Sequence, residues 1–428
     1  MKKSYLIFSS FILLLILFFG PVNILKAQTV QAKSYSLANC IDLAIKNSYQ
    51  LQTDSLLSET LQMQVNQEQA NYYPQISGAL GFSGLFLSPY TFGQQYLQAI
   101  ADWDLGKFWY KTSAIQQKQI ERQEAIKQQN QLEITGVITG LYLDVQQNEL
   151  ELQTLNSRLE YLIRHLDILT VLWKAGTINQ LDILQTQSTV NSVKEAVLQK
   201  EVEGNQAKYA MARLMGLDSD SEFNLTQIDG FETTPEITFE GQDVYLQNHP
   251  QLLTIQKEYE TELLKKREVK ASLLPHVQAF SGYTFDGDPT ADGSFVLLGL
   301  GATIPIYQWK KNDYRLQEID ITSEAIQSKK QNVERELSIR YGQILKQIQQ
   351  YKKILDFQQE KIANDKKTAQ VAEINYKSGL STNLDFLIAQ QTLTETKMQI
   401  NSVRNRYLKS IAAFYLLTGQ TEKIKEIK

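Results

Sequence analysis

The side chains that could carry chemistry are few, and their spacing favours no catalytic or metal site. The chain has one cysteine, Cys40, and three histidines, His165, His249 and His276, which lie far apart. A lone cysteine cannot close an internal disulfide, and the spacings match neither a zinc module nor a nucleophile with its base. No glycine-rich phosphate loop is present. We therefore expect no catalytic residue, no metal and no cofactor.

Two aspartates remain as candidates, because they occupy equivalent places in two similar stretches of sequence. Asp182 follows Asn179, and Asp385 follows Thr382, each after an interval of three residues. This pattern is typical of helix starts, where an acid in the first turn caps the helix and suits its dipole. Capping alone is a sufficient reason for both acids, and a further role depends on what surrounds them.

The charge balance argues against a nucleic-acid partner. The chain has 43 Lys and Arg residues against 47 Asp and Glu residues, a formal charge of −4. Proteins that bind nucleic acid neutralise phosphates with a basic surplus. We expect no nucleic acid among the partners.

The first 27 residues predict a secretory signal peptide. Lys2 and Lys3 precede an apolar run from Leu6 to Phe19, and Ala27 is a small residue at a plausible cleavage point. The alternative is an uncleaved membrane anchor, but this run is shorter than the roughly 20 residues that span a bilayer. The product is therefore expected to be exported.

An internal duplication organises the rest of the chain. At an offset of 201 residues, Leu43–Leu51 aligns with Val244–Leu252, and Pro74 aligns with Pro275. At an offset of 203 residues further positions recur, namely Gly176 as Gly379, Asp182 as Asp385, and Leu214–Gly216 as Leu417–Gly419. Such self-similarity is the signature of a repeated structural unit.

The duplication divides the chain into a leader, two repeats and a connector. Each repeat is expected to hold a short helix, a β-hairpin, a long helix and a return helix. The predicted bounds are 1–27 for the signal peptide, 28–217 for the first repeat with its hairpin at about 75–104, 218–237 for the connector, and 238–428 for the second repeat with its hairpin at about 276–305.

Each repeat contains a proline-free stretch that permits a very long helix. No proline occurs between Pro89 and Pro235 or after Pro305, and proline is the strongest helix breaker. We expect helices of roughly 65 residues that begin near Phe108 and Trp309, or about 100 Å at 1.5 Å per residue. A return helix of about 35 residues should follow each of them.

Apolar residues in these stretches alternate at spacings of four and three, the seam of a left-handed coiled coil. In the first repeat the seam has one polar member, Asn148, and otherwise consists of Ile134, Ile138, Leu141, Val145, Leu152, Leu155, Leu159, Leu162, Leu166, Leu169 and Trp173. The second repeat carries a weaker copy in the same register. We expect Trp173, at the end of the seam, to plug the helical core.

Between the short helix and the long helix of each repeat, apolar residues alternate with small or polar ones. Period two predicts strands, and their length of about 11 to 13 residues suits a tilted outer-membrane strand. The apolar positions include Ile76, Leu80, Phe82 and Phe86, then Val277, Ala279, Tyr283 and Phe285, then Val296, Leu298 and Leu300. A soluble sheet packed on a helix is the alternative.

Four strands are too few to close a membrane barrel, since the smallest has about eight, and an open edge in lipid leaves backbone groups unpaired. Several copies must therefore associate. If they pool their hairpins, the long helix pairs must also come together and would enclose a conduit.

The order of the motifs resembles that of the TolC-like outer-membrane efflux factors. The resemblance is carried by Asn47–Leu51 and Asn248–Leu252 in the short helices, Tyr73-Pro74 and Leu274-Pro275 before the hairpins, Ile304–Tyr307 after the second hairpin, and Tyr376–Gly379 followed by Leu384–Leu387. Each motif is short, but their order and duplication cover nearly all of the chain after the leader. The fold implied is mainly α with inserted β-hairpins and long antiparallel coiled-coil helical hairpins.

The resemblance implies a homotrimer whose hairpins pool into one twelve-stranded outer-membrane β-barrel, with six helical hairpins forming a periplasmic tunnel below it. It further implies a passive channel of a tripartite efflux or type I secretion system, and not an enzyme. The expected partners are a periplasmic adaptor protein, an inner-membrane transporter that supplies the energy, and outer-membrane lipid.

By the same resemblance, Asp182 and Asp385 would ring the periplasmic aperture, where six carboxylates favour cations. Ile388 and Gln185 stand where the family has a second acid, so the ring is less acidic here. The turns that would touch the adaptor are Gly176, Thr177, Gly379 and Leu380. The residues expected to face lipid are Phe82, Phe86, Trp103, Tyr283 and Phe285, with ordinary sheet packing as the alternative.

A periplasmic coiled-coil adaptor or scaffold is the second hypothesis. Adaptors by resemblance need one helical hairpin and compact β domains, whereas this sequence predicts two hairpins with strands inserted between the helices. Fractionation would separate the two, because an adaptor leaves with inner-membrane or soluble material.

Overall fold

The computed structural model describes residues 33–87, 90–105, 113–218, 223–228, 245, 248–286 and 293–427. The predicted signal peptide lies outside these residues, as does most of the predicted connector. The elements before the connector are β1 (Lys33–Tyr35), α1 (Leu37–Asn47), α2 (Tyr49–Ala70), β2 (Gln75–Leu87), β3 (Tyr90–Asp104), α3 (Ser113–Lys174) and α4 (Gln180–Met215). The later elements are β4 (Phe223–Leu225), α5 (Pro250–Ala271), β5 (His276–Asp286), β6 (Gly293–Thr303), α6 (Lys311–Lys377), α7 (Asn383–Leu417) and α8 (Thr421–Lys425).

Two very long helices dominate the fold, which confirms the predicted class of a mainly helical protein with inserted hairpins. α3 has 62 residues and α6 has 67, and their return helices α4 and α7 have 36 and 35. Within the described residues, no helix has both the length and the apolar character needed to cross a bilayer.

The predicted seam of α3 is buried in part, at Ile138, Val145, Leu155, Leu162 and Leu169. Ile138 and Val145 occupy one of the two alternating seam positions, and Leu155, Leu162 and Leu169 occupy the other. The buried position changes along the helix because a helix of 3.6 residues per turn drifts against a 3.5-residue repeat. Trp173 is 43% exposed, so the prediction that it plugs the core is wrong. The whole of 171–177 is exposed.

The predicted short helix of the first repeat is in fact two helices. Ser48 ends α1 in an extended conformation, and its side chain accepts a hydrogen bond from the Leu51 N–H at 3.3 Å as the cap of α2. In the second repeat His249 caps α5 and Pro250 occupies its first turn, where proline is well tolerated. Burial, and then the charge of Arg340, lower the pKa of His249.

The main core lies where α1, the middle of α3, and the ends of α4 and α7 meet. Its fully buried members include Ile41, Ile138, Tyr142, Val145, Met211, Met215, Ile411 and Phe414. β1 pairs with β4 in parallel beside it, which ties the start of the described chain to the connector. Cys40 is buried there, and burial raises the pKa of its thiol to about 12, as expected of an unreactive cysteine.

The four long strands form one antiparallel sheet in the order β2-β3-β5-β6. Helices α2, α3, α5 and α6 pack side by side in the same order, and each of them adjoins one of these strands in the sequence. The strands and the helices therefore continue one another as a single row with two open edges. β2 and α2 form one edge, and β6 and α6 form the other.

Candidate functional site

The turns between the long helices and their return helices are built in the same way in both repeats. Gly176 and Gly379 have φ angles of 75° and 73°, a left-handed conformation that glycine adopts without steric cost. The N–H of Thr177 donates to the Leu172 carbonyl at 3.0 Å, and the N–H of Leu380 donates to the Asn375 carbonyl at 2.8 Å. These bonds satisfy carbonyls left over at the helix ends. We call this end of the molecule the tip.

The four residues predicted to touch an adaptor lie at the surface of the tip. Gly176, Thr177, Gly379 and Leu380 are all exposed, and Leu380 is the most apolar of them, at 78% exposure. The tip therefore presents two equivalent exposed turns, one from each repeat.

Asp385 caps α7 in the way that the sequence predicts. Its carboxylate accepts hydrogen bonds from the Thr382 N–H at 3.0 Å and from the Thr382 hydroxyl at 2.7 Å, while its own N–H donates to the Thr382 Oγ1 at 3.2 Å. This reciprocal arrangement is a capping box. Hydrogen bonds from the Thr382 side chain and backbone lower the pKa of Asp385.

Asp182 has the same sequence position in the first repeat but different contacts. Asn179 caps α4 by accepting a hydrogen bond from the Leu181 N–H at 3.3 Å. No described residue donates a hydrogen bond to the Asp182 carboxylate, which interacts with α4 only as an acid in its first turn, where it suits the helix dipole. Burial, and then the charge of Asp182, raise the pKa of Tyr376 across the tip.

A buried asparagine joins the two repeats at the tip. The amide nitrogen of Asn383 donates to the Thr186 Oγ1 at 3.1 Å and to the Asp182 carbonyl at 3.2 Å, and its Oδ1 lies 3.0 Å from the His165 Nε2. Because the amide oxygen can only accept, His165 carries a proton on Nε2. Asn383 is 1% exposed and Thr186 is 0% exposed. The link brings Asp182 and Asp385 to the same end of the molecule, but this role of Asn383 could not be read from the sequence.

An aromatic cluster surrounds this link. The His165 ring lies 4.7 Å from the Phe386 ring and 5.6 Å from the Tyr376 ring, and Tyr161 lies 6.1 Å from Phe386. Burial, and then the carboxylate of Glu373, raise the pKa of Tyr161 to about 12. The rings come from α3, α6 and α7, so both repeats contribute to one apolar contact at the tip.

Beyond the tip, α3 presents a polar stripe to its neighbours. Its members, Asp144, Glu151, Arg158 and His165, recur every seven residues. Asp144 accepts hydrogen bonds from Lys409 at 2.7 Å and from Asn405 at 2.9 Å, both on α7. Burial lowers the pKa of Arg158, and the charge of Glu395 on α7 opposes that effect. Much of the contact between the repeats is therefore polar.

The strands present two chemically different faces. On the first face, which we call the apolar face, large side chains are exposed to between 49% and 83%; they are Ile76, Leu80, Leu97, Tyr283, Val296, Leu298 and Leu300. The strand register places positions 82, 86, 103 and 285 on this face too, although the side chains of Phe82, Phe86 and Phe285 lie outside those described. Trp103 is half-buried at the strand end, where its Nε1–H donates to the Tyr72 carbonyl at 2.7 Å.

The opposite face, which we call the polar face, carries small and polar residues at positions such as Ser77, Gln98, Asp102 and Gln278. Among the described residues, no three His, Cys, Asp or Glu side chains lie where they could share a metal ion. The described strands and the tip offer surfaces, turns and links between helices.

Comparison with known proteins gives one family and a set of similar structures. The sequence model of the family described as "Outer membrane efflux protein" matches residues 40–217 and 243–420. No curated protein sequence matches the chain. The crystal structure of CusC is similar over 90% of this chain and 92% of its own, with a TM-score of 0.82 and 17% identity.

Two further structures show the same fold. The CmeC outer membrane channel of Campylobacter jejuni has a TM-score of 0.80 and 15% identity, over 90% of this chain and 85% of its own. The open state of the MtrE outer membrane channel of Neisseria gonorrhoeae has a TM-score of 0.75 and 16% identity, over 90% of this chain and 88% of its own.

Proposed function

The chain belongs to the outer membrane efflux protein family, and on that premise we propose that three copies of it close one conduit through the outer membrane. It is an outer-membrane efflux channel that extends into the periplasm. The family and the similar structures are channels and not enzymes. We propose that this chain, too, carries out no catalysis and passes solutes passively.

The pair of open edges on each chain carries the proposal. β2 and β6 are the edge strands of the sheet, and α2 and α6 are the outer helices of the row beside it. An unpaired backbone group in lipid costs several kcal/mol, so neither edge can stay open in a membrane. Pairing β2 of one copy with β6 of the next removes every edge. The number of copies, three, rests on the resemblance to the family.

We propose that the apolar face lies against lipid. Seven large side chains exposed on one face would be costly in water, and the register adds Phe82, Phe86 and Phe285 to the same face. Tyr283 and Trp103 are amphipathic aromatics of the type found at membrane boundaries. The polar face then lines the conduit.

Asp182 and Asp385 are proposed to line the aperture at the tip. Both lie in the first turn of a return helix, and in three copies they would place six carboxylates around one opening. Like charges at short range raise the energy of the closed ring, and their field favours cations. Capping by Asp385 does not conflict with this role, because a capping carboxylate keeps its negative charge.

The exposed turns at Gly176, Thr177, Gly379 and Leu380 are proposed to bind a periplasmic adaptor. An adaptor would connect the channel to an inner-membrane transporter, which supplies the energy. A photo-crosslinking residue at Leu380, introduced in the native host, should capture the adaptor. The matched control is the same residue at Leu184, which is 55% exposed on α4 and lies outside the turns.

Two measurements on the purified full chain test the conduit itself. Light scattering in detergent should give the mass of three chains, and planar bilayers should show single-channel current steps. A monomer that fractionates with soluble or inner-membrane material and carries no current would instead support the adaptor or scaffold hypothesis.

The aperture is tested by Asp182→Ala combined with Asp385→Ala. We expect the preference for cations, measured as a reversal potential in a salt gradient, to fall. Glu160→Gln is the control, since this exposed acid on α3 is paired with Arg164 at 3.2 Å. If the double variant and the control have equal selectivity, the aperture role is wrong and only the cap of Asp385 remains.

A further inference from the structure

The charges of the four long strands are all of one sign. Across their full bounds β2, β3, β5 and β6 contain three acids, Asp102, Asp104 and Asp286, and no lysine or arginine. In the strand register all three positions belong to the polar face. If the polar face lines the conduit, this part of its wall attracts cations and repels anions.

An apolar patch interrupts the polar face next to one of these acids. The ring of Phe280 lies against Gly299, where an added Cβ would come within 2.2 Å of the Phe280 Cζ. Ile100 on β3 and Leu297 on β6 lie nearby on the same face. Both are in register with Gly282 on β5, two residues after Phe280. Leu297 is 46% exposed, and Ile100 and Phe280 are half-buried.

Gly299 explains why the Phe280 ring can lie over β6, because a side chain at position 299 would collide with the ring. Gly282, which lies between Ile100 and Leu297, is itself buried, and the Gln98 Nε2 is 3.7 Å from the place its Cβ would take. The result is a shallow apolar floor that includes one half-buried aromatic ring. An aromatic ring at this position can interact with another ring or attract a cation.

Asp102 lies directly beside this floor. It is in register with Phe280 on the neighbouring strand, a placement that puts the two Cβ atoms roughly 5 Å apart. The Asp102 side chain is exposed, and no described residue forms a hydrogen bond or ion pair with it. The carboxylate is therefore available to a solute that passes over the patch.

We propose that Ile100, Asp102, Phe280 and Leu297 form a weak subsite in the conduit wall for amphiphilic organic cations, molecules that combine an aromatic or apolar group with a positive charge. The apolar group would cover Phe280 and Leu297, and the positive charge would meet Asp102. The inference rests on the proposed conduit, because the polar face is accessible to solutes only if it lines a channel.

The chemistry favours this occupant over a simple ion or an anion. A small inorganic cation would interact with Asp102 but gain nothing from the apolar floor. An aromatic anion would match the floor but be repelled by strands that carry three acids and no lysine or arginine. Weak binding suits a conduit, since a solute must leave the wall as readily as it reaches it.

The test uses three probes that separate ring from charge: benzyltrimethylammonium, tetramethylammonium and benzenesulfonate. Each is added to the strand side of the full-length channel in a planar bilayer, so that the probe reaches the subsite without crossing the tip. Benzyltrimethylammonium should reduce the current at the lowest concentration of the three.

Two variants assign the effect to the subsite. Phe280→Leu should raise the half-inhibiting concentration of benzyltrimethylammonium about threefold, and Asp102→Asn should raise it about fivefold. Val296→Ala changes the apolar face of the neighbouring strand and should leave that concentration unchanged. Equal potency of the three probes, or equal inhibition of wild type and both variants, would overturn the proposal.

A second measurement keeps the two proposals distinguishable. Saturation-transfer NMR on the detergent-purified channel should show contact with the benzyl protons, and this contact should weaken in Phe280→Leu and Asp102→Asn. If the protein carries no current but the variants weaken the contact, the conduit is wrong and the subsite stands. If it conducts and neither signal responds to the variants, the subsite is wrong and the conduit stands.

Discussion

Replacing Asn383 with alanine should loosen the contact between the two repeats at the tip. Asn383 is buried and makes three polar contacts, to Thr186, to the Asp182 carbonyl and to His165. The substitution removes all three. It leaves the Thr186 hydroxyl bonded to the Asp182 carbonyl at 2.9 Å, so Thr186 does not lose its last partner.

The size of the effect follows from these contacts. A typical intramolecular hydrogen bond contributes about 1 kcal/mol to stability. Loss of three should therefore shift the equilibrium between joined and separated tips by about 3 kcal/mol, or roughly a hundredfold. Thr186→Val is a milder companion variant, because it keeps the side-chain shape and removes one contact to Asn383. Its shift should be about fivefold.

Hydrogen exchange followed by mass spectrometry measures this shift directly. Peptides from 160–174 and 376–390 should exchange faster in Asn383→Ala, while peptides from 135–146 in the main core serve as an internal reference. In planar bilayers the same variant should spend more time in its conducting state. Unchanged exchange at the tip in both variants would refute the argument that this link holds the repeats together.

Three further predictions concern helix ends and buried charge. Gly379→Ala should destabilise the tip turn by about 1 kcal/mol through backbone strain alone, because its Cβ would meet nothing within 4 Å. Gly216→Ala should cost more, since its Cβ would lie 2.8 Å from the Asn47 Cβ; thermal unfolding of the two variants compares them. Lys200→Met should destabilise the contact between α3 and α4 by about 3 kcal/mol, because it leaves the 3%-exposed Glu151 without its ion pair. Lys409→Met should cost less than about 1 kcal/mol, because its partner Asp144 is more exposed. Hydrogen exchange measures both effects. Asp385→Asn should speed hydrogen exchange in residues 382–388 at pH 7, because the variant lacks the capping carboxylate. The pKa of Asp385 is lowered below its ordinary value of 3.8. As the pH falls through this pKa, the wild-type carboxyl becomes neutral, and the difference from the variant should vanish.

The long helices could be predicted because their signals are local. Absence of proline and the seam from Ile134 onward indicate a helix without reference to any other part of the chain. The same local reasoning predicts the cap at Asp385, since Thr382 and Asp385 lie three residues apart. It fails at Trp173, whose exposure depends on what lies beside the helix end.

The link through Asn383 could not be predicted from one sequence. His165 and Asn383 are 218 residues apart, and nothing in the type or spacing of either residue points to the other. Sequence also treats Asp182 and Asp385 as equivalent, although the Asp182 carboxylate has no described hydrogen-bond partner and the Asp385 carboxylate forms part of a capping box. These differences depend on contacts between residues that are far apart in the chain, and the local sequence pattern does not indicate such contacts.

Joining two unlike copies of one unit in a single polypeptide has a consequence for any ring that three chains build. Such a ring contains six repeats, yet a mutation in one repeat of the gene changes only every second repeat around the ring. Six separate identical subunits could never vary in that alternating way. One set of three repeats can therefore keep the ring stable while substitutions in the other set change its function.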